Sequence, residues 1–181
     1  YTFNLNYTYI NTLNNDKLFR EVWAEAEIRS IDKFIFHLGA QYMIYNQSLY
    51  QQKLLKDYPN VEAITPFMEV VYKISEKKSL RTELQYMSTK QDYGSWAFLL
   101  FEYNIAPKWS FAVSDMYNIA PNKVHVKEAN HYPNVFLAHT RGAHRITAQY
   151  VKQVDGINCT GGVCRYEPAF SGYKIGITTT F

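Results

Sequence analysis

Apolar and polar residues alternate along most of this chain, and a period of two is typical of β-strands with one apolar face. Residues 1–10 show the pattern most clearly, with Phe3, Leu5 and Tyr7 on one face and Asn4 and Asn6 on the other. Residues 18–31 also fit a helix because they are rich in alanine and glutamate, but their charges recur at every second position, which favours a strand. We therefore predict an all-β fold of about ten strands. The runs that predict the strands are residues 1–10, 18–31, 34–45, 64–75, 80–88, 95–105, 109–117, 135–140, 145–151 and 171–181.

Two architectures give such alternation. A soluble sandwich or small barrel turns its apolar face inward, whereas a transmembrane β-barrel turns it outward to lipid. Three features favour the membrane barrel. Most runs reach the roughly ten residues that a tilted strand needs to cross a bilayer. Long and short connections alternate along the chain, and aromatic residues such as Trp109 recur near strand ends, as they do in outer-membrane barrels. The predicted fold is an antiparallel, up-and-down transmembrane β-barrel.

Composition and charge narrow the classes of function. The chain of 181 residues is long enough for one domain, which we place at 1–181, and no linker divides it. It has 16 tyrosines and 11 phenylalanines, although its mean hydropathy is −0.32. The net charge of +3 is too small to indicate a nucleic-acid partner. No run of about 18 apolar residues predicts a transmembrane helix, and no motif predicts a cofactor.

The closing strand carries a resemblance to a known class of proteins. Tyr173, Ile175, Ile177 and the terminal Phe181 alternate with smaller or polar residues. This strand resembles the assembly signal of Gram-negative outer-membrane β-barrel proteins. The resemblance implies a place in the bacterial outer membrane, with the C-terminus on the periplasmic side and the long loops outside. It also implies that the barrel-assembly machinery reads the strand by edge pairing.

A second segment, "CTGGVCRYEPAFSG", resembles an uncharacterised family of barrels from Bacteroidota when it is taken with the many Tyr and Asn residues. This resemblance implies no activity. The barrel would be complete with ten strands, or it would be the C-terminal part of a larger barrel if strands precede Tyr1.

An outward apolar face would place the polar face in the interior of the barrel. Acids and bases are nearly balanced there, so we expect a narrow, ion-paired interior. The function expected is that of a non-enzymatic outer-membrane protein, as a structural subunit of a membrane complex or as a narrow channel. The alternative is a solute-selective porin. The residues expected in the interior charge network are Glu21, Glu25, Glu27, Arg29, Glu69, Lys73, Arg81, Glu83, Glu102, Arg145 and Lys174, with His37, Gln41, Gln85 and Gln149 beside them.

Cys159 and Cys164 have four residues between them, in a glycine-bearing segment. In an oxidising compartment we expect a disulfide that closes an extracellular loop. Free thiols are one alternative, and half of a zinc site is another. No second pair of Cys or His residues lies at a spacing suitable for zinc, so no metal site is predicted.

Asp115, with His125 or His131 from the segment that follows it, gives a second alternative function. An Asp–His pair can activate water, and some outer-membrane barrels carry proteolytic Asp and His residues at the extracellular rim. No serine-centred nucleophile motif accompanies them. The basic residues of the loops form a further candidate site, since they could meet lipopolysaccharide phosphates. They are Lys53, Lys56, Lys123, Lys127 and Arg165. The expected partners are thus outer-membrane lipid, lipopolysaccharide, the assembly machinery and other outer-membrane proteins.

Overall fold

Ten strands form a single antiparallel up-and-down sheet in the computed structural model, which describes residues 1–50, 60–123, 130–154, 156–160 and 163–180. For residues 50, 156–160 and 163–167 it describes the backbone alone. The strand order is β1 to β9 followed by β12, so each strand pairs with its neighbours in the chain. The strands are β1 Thr2–Asn11, β2 Lys17–Ile28, β3 Phe34–Asn46, β4 Asn60–Ser75, β5 Lys78–Met87, β6 Gly94–Ile105, β7 Trp109–Pro121, β8 His131–Arg141, β9 His144–Gln153, β10 Gly156–Thr160, β11 Val163–Glu167 and β12 Phe170–Thr179, with a short helix α1 at Gln47–Tyr50.

The all-β, antiparallel, up-and-down fold predicted from the alternation is confirmed. Several strands are longer than predicted. β4 begins at Asn60 because Val61 and Ala63 continue the alternation and pair with Tyr45 and Met43 of β3. Pairing with β3 thus extends β4 into a segment whose composition alone predicts a loop. The cysteine segment, predicted to be a loop, forms the hairpin of β10 and β11.

The connections of the sheet fall at two ends. One end, here the turn end, carries residues 29–33, 76–77, 106–108 and 142–143. One of its two-residue turns contains Gly142, whose φ of 58° lies in the left-handed region that glycine adopts without strain. The other end, here the loop end, carries residues 12–16, 47–59, 88–93, 122–130 and 154–169. The predicted alternation of short and long connections is therefore present, with the first loop as short as the longest turn.

The polar face of the sheet is less accessible than its apolar face. Side chains of the charged residues Glu83 and Arg81 are 16% and 31% exposed. On the opposite face, Leu84 is 47% and Val113 53% exposed. A single sheet with one systematically less accessible face curls around that face. The sheet therefore encloses its polar side chains and presents its apolar ones outward.

The described residues contain few buried apolar side chains. In the described ranges five hydrophobic residues are buried, whereas 29 large hydrophobic residues are exposed. The accessible surface is 12508 Å², about a third more than the roughly 9,100 Å² expected for a compact soluble protein of this mass. Among the described residues no second sheet covers the apolar face. This arrangement is not that of a soluble sandwich, in which the apolar face would be packed.

β1 and β12 are the two edges of the sheet, and each pairs on one side only in the described part of the chain. Tyr173, Ile175 and Ile177 of β12 are 73–82% exposed, well above the values in the middle of the sheet, because β9 flanks them on one side only. Unpaired strand edges leave backbone N–H and C=O groups without partners. Within the described ranges, no helix has the length and apolarity needed to cross a bilayer.

Gly39 of β3 permits close packing on the polar face. A Cβ at this position would overlap the carbonyl oxygen of Ala24 and the ring of Phe67. We expect Gly39→Ala to lower the free energy of unfolding by about 1–3 kcal/mol, as other overpacked substitutions do. Urea unfolding followed by tryptophan fluorescence would measure the change. Ala40→Val, which adds bulk to the exposed face of the same strand, is the matched control and should have little effect; an equal loss in both variants would contradict the explanation.

Candidate functional site

The register of the sheet lines up charged residues from neighbouring strands. Glu27 of β2 pairs with His37 of β3, His37 with Glu69 of β4, and Glu69 with Glu83 of β5. Like charges directly opposite each other, as in Glu69 and Glu83, repel unless a cation lies between them. Such a row of residues therefore requires a cation from a neighbouring row.

Arg81 of β5 supplies that cation. Its Nε lies 3.3 Å from Glu69 Oε2, and its Nη2 donates a hydrogen bond of 2.7 Å to Glu83 Oε2. Its Nη1 lies 3.6 Å from Glu102 Oε2 of β6. One guanidinium thus links carboxylates from three strands. Because it cannot neutralise three carboxylates, the cluster keeps a net negative charge.

His37 lies among three further carboxylate contacts. Its Nδ1 is 3.4 Å from Glu25 Oε1, and its Nε2 is 3.7 Å from Glu27 Oε2 and 3.9 Å from Glu69 Oε1. Arg29, just beyond β2, donates from Nη2 to Glu27 Oε2 at 3.0 Å and also from Nε to Oε1. The hydrogen bonds to Glu27 raise the pKa of the Arg29 guanidinium above its usual value. The pair is therefore charged at neutral pH.

Amide side chains complete the hydrogen bonding of the carboxylates. Gln41 donates to Glu21, and Gln85 donates to Glu83. Asn104 donates to Glu102 Oε1 at 2.7 Å and accepts a hydrogen bond of 2.6 Å from Ser110. These bonds hold the acids in fixed orientations on the polar face. We refer to the six acids on the polar face of β2–β6 as the acidic wall: Glu21, Glu25, Glu27, Glu69, Glu83 and Glu102.

Three of the bases expected in the network lie outside it. Lys73 is exposed near the turn end, and it has no ion pair among the described residues. Arg145 of β9 and Lys174 of β12 are on the polar face at the other side of the sheet, where neither contacts a described carboxylate. Lys174 instead lies over the ring of Phe170, at 5.4 Å. The expected balance of acids and bases is therefore absent from β2–β6, where acids are in excess.

Three residues of the acidic wall, Glu25, Glu69 and Glu83, line a cavity of about 280 Å³ on the polar face of β2–β5. Trp23 and Phe67 lie on its lining, with ring centroids 6.4 Å apart and planes inclined by 10°. Neither residue was expected in the interior. The alternation along the strands could have indicated this position. Trp23 lies two residues from both Glu21 and Glu25, and Phe67 lies two residues before Glu69, so each ring is on the same face as these acids.

The candidate hydrolytic pair comes together at the loop end. His131 Nδ1 lies 2.5 Å from Asp115 Oδ2, and the backbone N–H of Tyr132 donates to Asp115 Oδ1 at 3.1 Å. The His131 ring stacks on Tyr117 at 4.2 Å. The register places Asp115 opposite Leu99 and Pro133, so the pair lies on the apolar face and not in the interior. His125 lies outside the described residues.

A separate polar cluster closes the loop end. Asn118 is fully buried, and its Nδ2 donates to the carbonyl oxygens of Tyr93 at 2.9 Å and Ser95 at 3.3 Å. Gln47 of α1, also buried, donates to Asp92 Oδ1 at 2.6 Å. These contacts join α1 to the connection 88–93, and they tie that connection and β6 to β7. No part of this cluster was expected from the sequence, because the contacts join residues that are far apart in the chain.

The remaining candidate residues are only partly covered by the structure. In the hairpin of β10 and β11 the backbone register places Cys159 directly opposite Cys164. Their side chains are outside the described set, as is that of Arg165, so the disulfide stays a prediction. Lys53, Lys56, Lys127 and Phe181 also lie outside it, while Lys123 is exposed. In the described ranges no group of three or more His, Cys, Asp or Glu residues could hold a metal ion.

Comparison with known proteins identifies a family. Residues 2–181 match the profile of a family of unknown function, DUF6029. The chain belongs to this family. Searches of the curated proteins and of the solved structures found no significant match. Membership of DUF6029, a family of unknown function, therefore assigns no activity to the chain.

The contacts of Arg81 predict a specific loss of stability. We expect Arg81→Gln to lower the free energy of unfolding by about 1–3 kcal/mol, because Glu69 and Glu83 would then face each other without a cation. Arg81→Lys should recover only part of the loss, since an ammonium cannot reach all three carboxylates in the geometry of a guanidinium. Urea midpoints at constant slope would measure both effects.

Arg145→Gln is the matched control for Arg81→Gln. Arg145 is exposed and has no described carboxylate partner, so its loss should change the midpoint little. A loss as large as that of Arg81→Gln would show that removing any cation from the polar face lowers the stability. It would contradict a specific role for the three contacts of Arg81.

Proposed function

We propose that this protein is a non-enzymatic, integral β-barrel protein of a Gram-negative outer membrane, with its apolar face against lipid and its polar face lining a narrow interior. The observation that carries the proposal is the inverted exposure of the two faces. Hydrophobic residues in the middle of the sheet are more exposed than the charged residues behind them. Water would make such an arrangement costly, whereas a bilayer stabilises it.

The positions of the charged residues on the apolar face support this proposal. Arg20, Glu62 and Lys152 are near the loop end, and Lys78 and Arg141 are near the turn end. Between these ends the face carries aliphatic, aromatic and alanine side chains, together with Pro66 and Thr82. Asp115, two residues inside Tyr117 on β7, is an exception, and it is paired with His131. A face whose other described charges lie at its two ends matches the hydrocarbon region of a bilayer.

Two aromatic belts flank the aliphatic band. From Trp109 to Tyr117, eight residues apart on β7, the distance is about 26 Å along the strand, close to the height of the apolar band of outer-membrane barrels. Aromatic rings of this kind occupy the interfaces between lipid and water. The belt at the loop end consists of Tyr9, Tyr42, Tyr86, Tyr117, Tyr150 and Tyr173, and the belt at the turn end consists of Phe34, Phe36, Tyr72, Tyr103, Trp109 and Phe111.

The lengths of the connections also suggest how the barrel is oriented in the membrane. Short turns face the periplasm in outer-membrane barrels and long loops face outward. We therefore place the turn end, where β12 finishes, on the periplasmic side. The exposed edge of β12, with Tyr173, Ile175 and Ile177, is available for pairing with the barrel-assembly machinery. The same proposal includes an origin in Bacteroidota, contacts with lipopolysaccharide and a place in a membrane complex.

The alternative function is enzymatic: a hydrolase with its active site at the rim of the barrel. The contact between Asp115 and His131 is the observation that favours it. The position of the pair on the apolar face argues against it, because a substrate in water would have to approach through the lipid interface. Hydrolysis of a peptide library by the wild type, lost in Asp115→Ala, would establish the alternative. Absence of hydrolysis, or activity unchanged by the substitution, would remove it.

The first test of the proposal is heat-modifiability. We expect the chain, extracted from outer membranes in detergent, to migrate differently on SDS gels before and after boiling, because a closed barrel resists SDS until it is heated. A chain that stays in aqueous solution without detergent and shows no shift would overturn the proposal.

A pair of neighbouring substitutions tests which face meets lipid. We expect Leu84→Lys, on the exposed apolar face of β5, to lower the free energy of unfolding of the protein in lipid vesicles by about 2–4 kcal/mol. Gln85→Lys, one residue away on the polar face and beside Glu83, should have a much smaller effect. Urea titration of vesicle-folded protein would compare them. A larger loss from Gln85→Lys would reverse the assignment of the faces.

A further inference from the structure

The charges of the polar face are separated between two parts of the sheet. The polar face of β2–β6, with Arg29 just beyond β2, has six carboxylates against Arg29, Lys73 and Arg81, a formal excess of three negative charges when histidine is not counted. The polar face of β7, β8, β9 and β12 has Arg145 and Lys174 as its charged residues in the described ranges, and no acid. The interior is therefore electrically asymmetric.

The cavity in the acidic wall adds an observation that does not depend on the count of carboxylates. The rings of Trp23 and Phe67 contribute to its lining beside Glu25 and Glu69. The faces of aromatic rings carry negative charge density and attract cations within about 6 Å of the ring centre. Gln41 and Thr65 also line the cavity and offer oxygen atoms. Carboxylates, ring faces and amide oxygens all prefer a positively charged occupant.

We propose that the interior conducts small monovalent cations in preference to anions, and that the cavity between the acidic wall and the Trp23–Phe67 pair is where the selection occurs. This inference rests on the proposed function, since it requires the polar face to line the interior of a barrel. Carboxylates that line a narrow passage raise the local concentration of cations and exclude anions. The hydrogen bonds that the side-chain amides of Gln41 and Gln85 donate to Glu21 and Glu83 keep these acids oriented towards the passage.

The experiment is a measurement of ion selectivity. Purified protein that shows the heat-dependent gel shift would be inserted into planar bilayers under a tenfold gradient of KCl. The reversal potential gives the ratio of potassium to chloride permeability, and we expect this ratio to be several-fold above one. The double variant Glu21→Gln and Glu25→Gln should lower the ratio at least twofold. It leaves the contacts of Arg81 with Glu69, Glu83 and Glu102 intact, so the sheet should still fold.

The matched control removes charge of the opposite sign. Arg145→Gln together with Lys174→Gln should leave the ratio unchanged or raise it, because neither residue contacts the acidic wall. If the double glutamine variant at 21 and 25 fails to give the gel shift, Glu25→Gln alone, which loses only the contact with His37, should still lower the ratio.

The outcomes separate the two proposals. Absence of the gel shift would overturn the outer-membrane barrel and the cation path together. A clear gel shift without conductance would leave the barrel standing and overturn the cation path. Chloride preference, or a ratio that the removal of Glu21 and Glu25 does not change, would also overturn it.

Discussion

The register of the strands is the constraint on which both faces of this sheet depend. Side chains in a strand alternate between faces, so a slip of one residue in any pair would move acids to the apolar face and aliphatic residues to the interior. The row of Glu27, His37, Glu69 and Glu83 exists only because four strands keep their register. The contacts of Arg81 with three strands in turn stabilise that register, since a slipped strand would separate the guanidinium from its carboxylates.

The stability of the sheet does not come from a packed apolar core. The buried hydrophobic residues in the described ranges are few, and buried polar residues such as Asn118 and Gln47 are as prominent. Backbone pairing along ten strands, polar networks at the loop end and ion pairs in the interior take the place of that core. This organisation suits a solvent that is apolar outside the sheet and polar inside it, which is why the proposed membrane position and the charged interior support each other.

The proposed cation path depends on how the charges of the polar face are distributed. Acids lie on β2–β6, whereas Arg145 and Lys174 lie on β9 and β12. An interior whose only task was structural would gain from pairing these charges, and the structure leaves them apart. Gly39 contributes in a different way: without a side chain it leaves room for Phe67 to stack on Trp23, which shapes the cavity on the polar face of β2–β5.

The sequence by itself determined the ten strands of the main sheet, their antiparallel order and the face of nearly every residue in β1–β6, because a period of two is a local property that neighbouring residues express together. It also indicated that Asp115 and His131 could meet. Only the tertiary structure decided which charges touch. Lys73, Arg145 and Lys174 share the polar face with the acids, but their strands or ends of strands hold them away from the carboxylates. The start of β4, the hairpin of the cysteine segment and the burial of Asn118 were likewise decided by pairing between distant segments, since the energy of a strand or a polar cluster depends on neighbours that the local sequence does not contain.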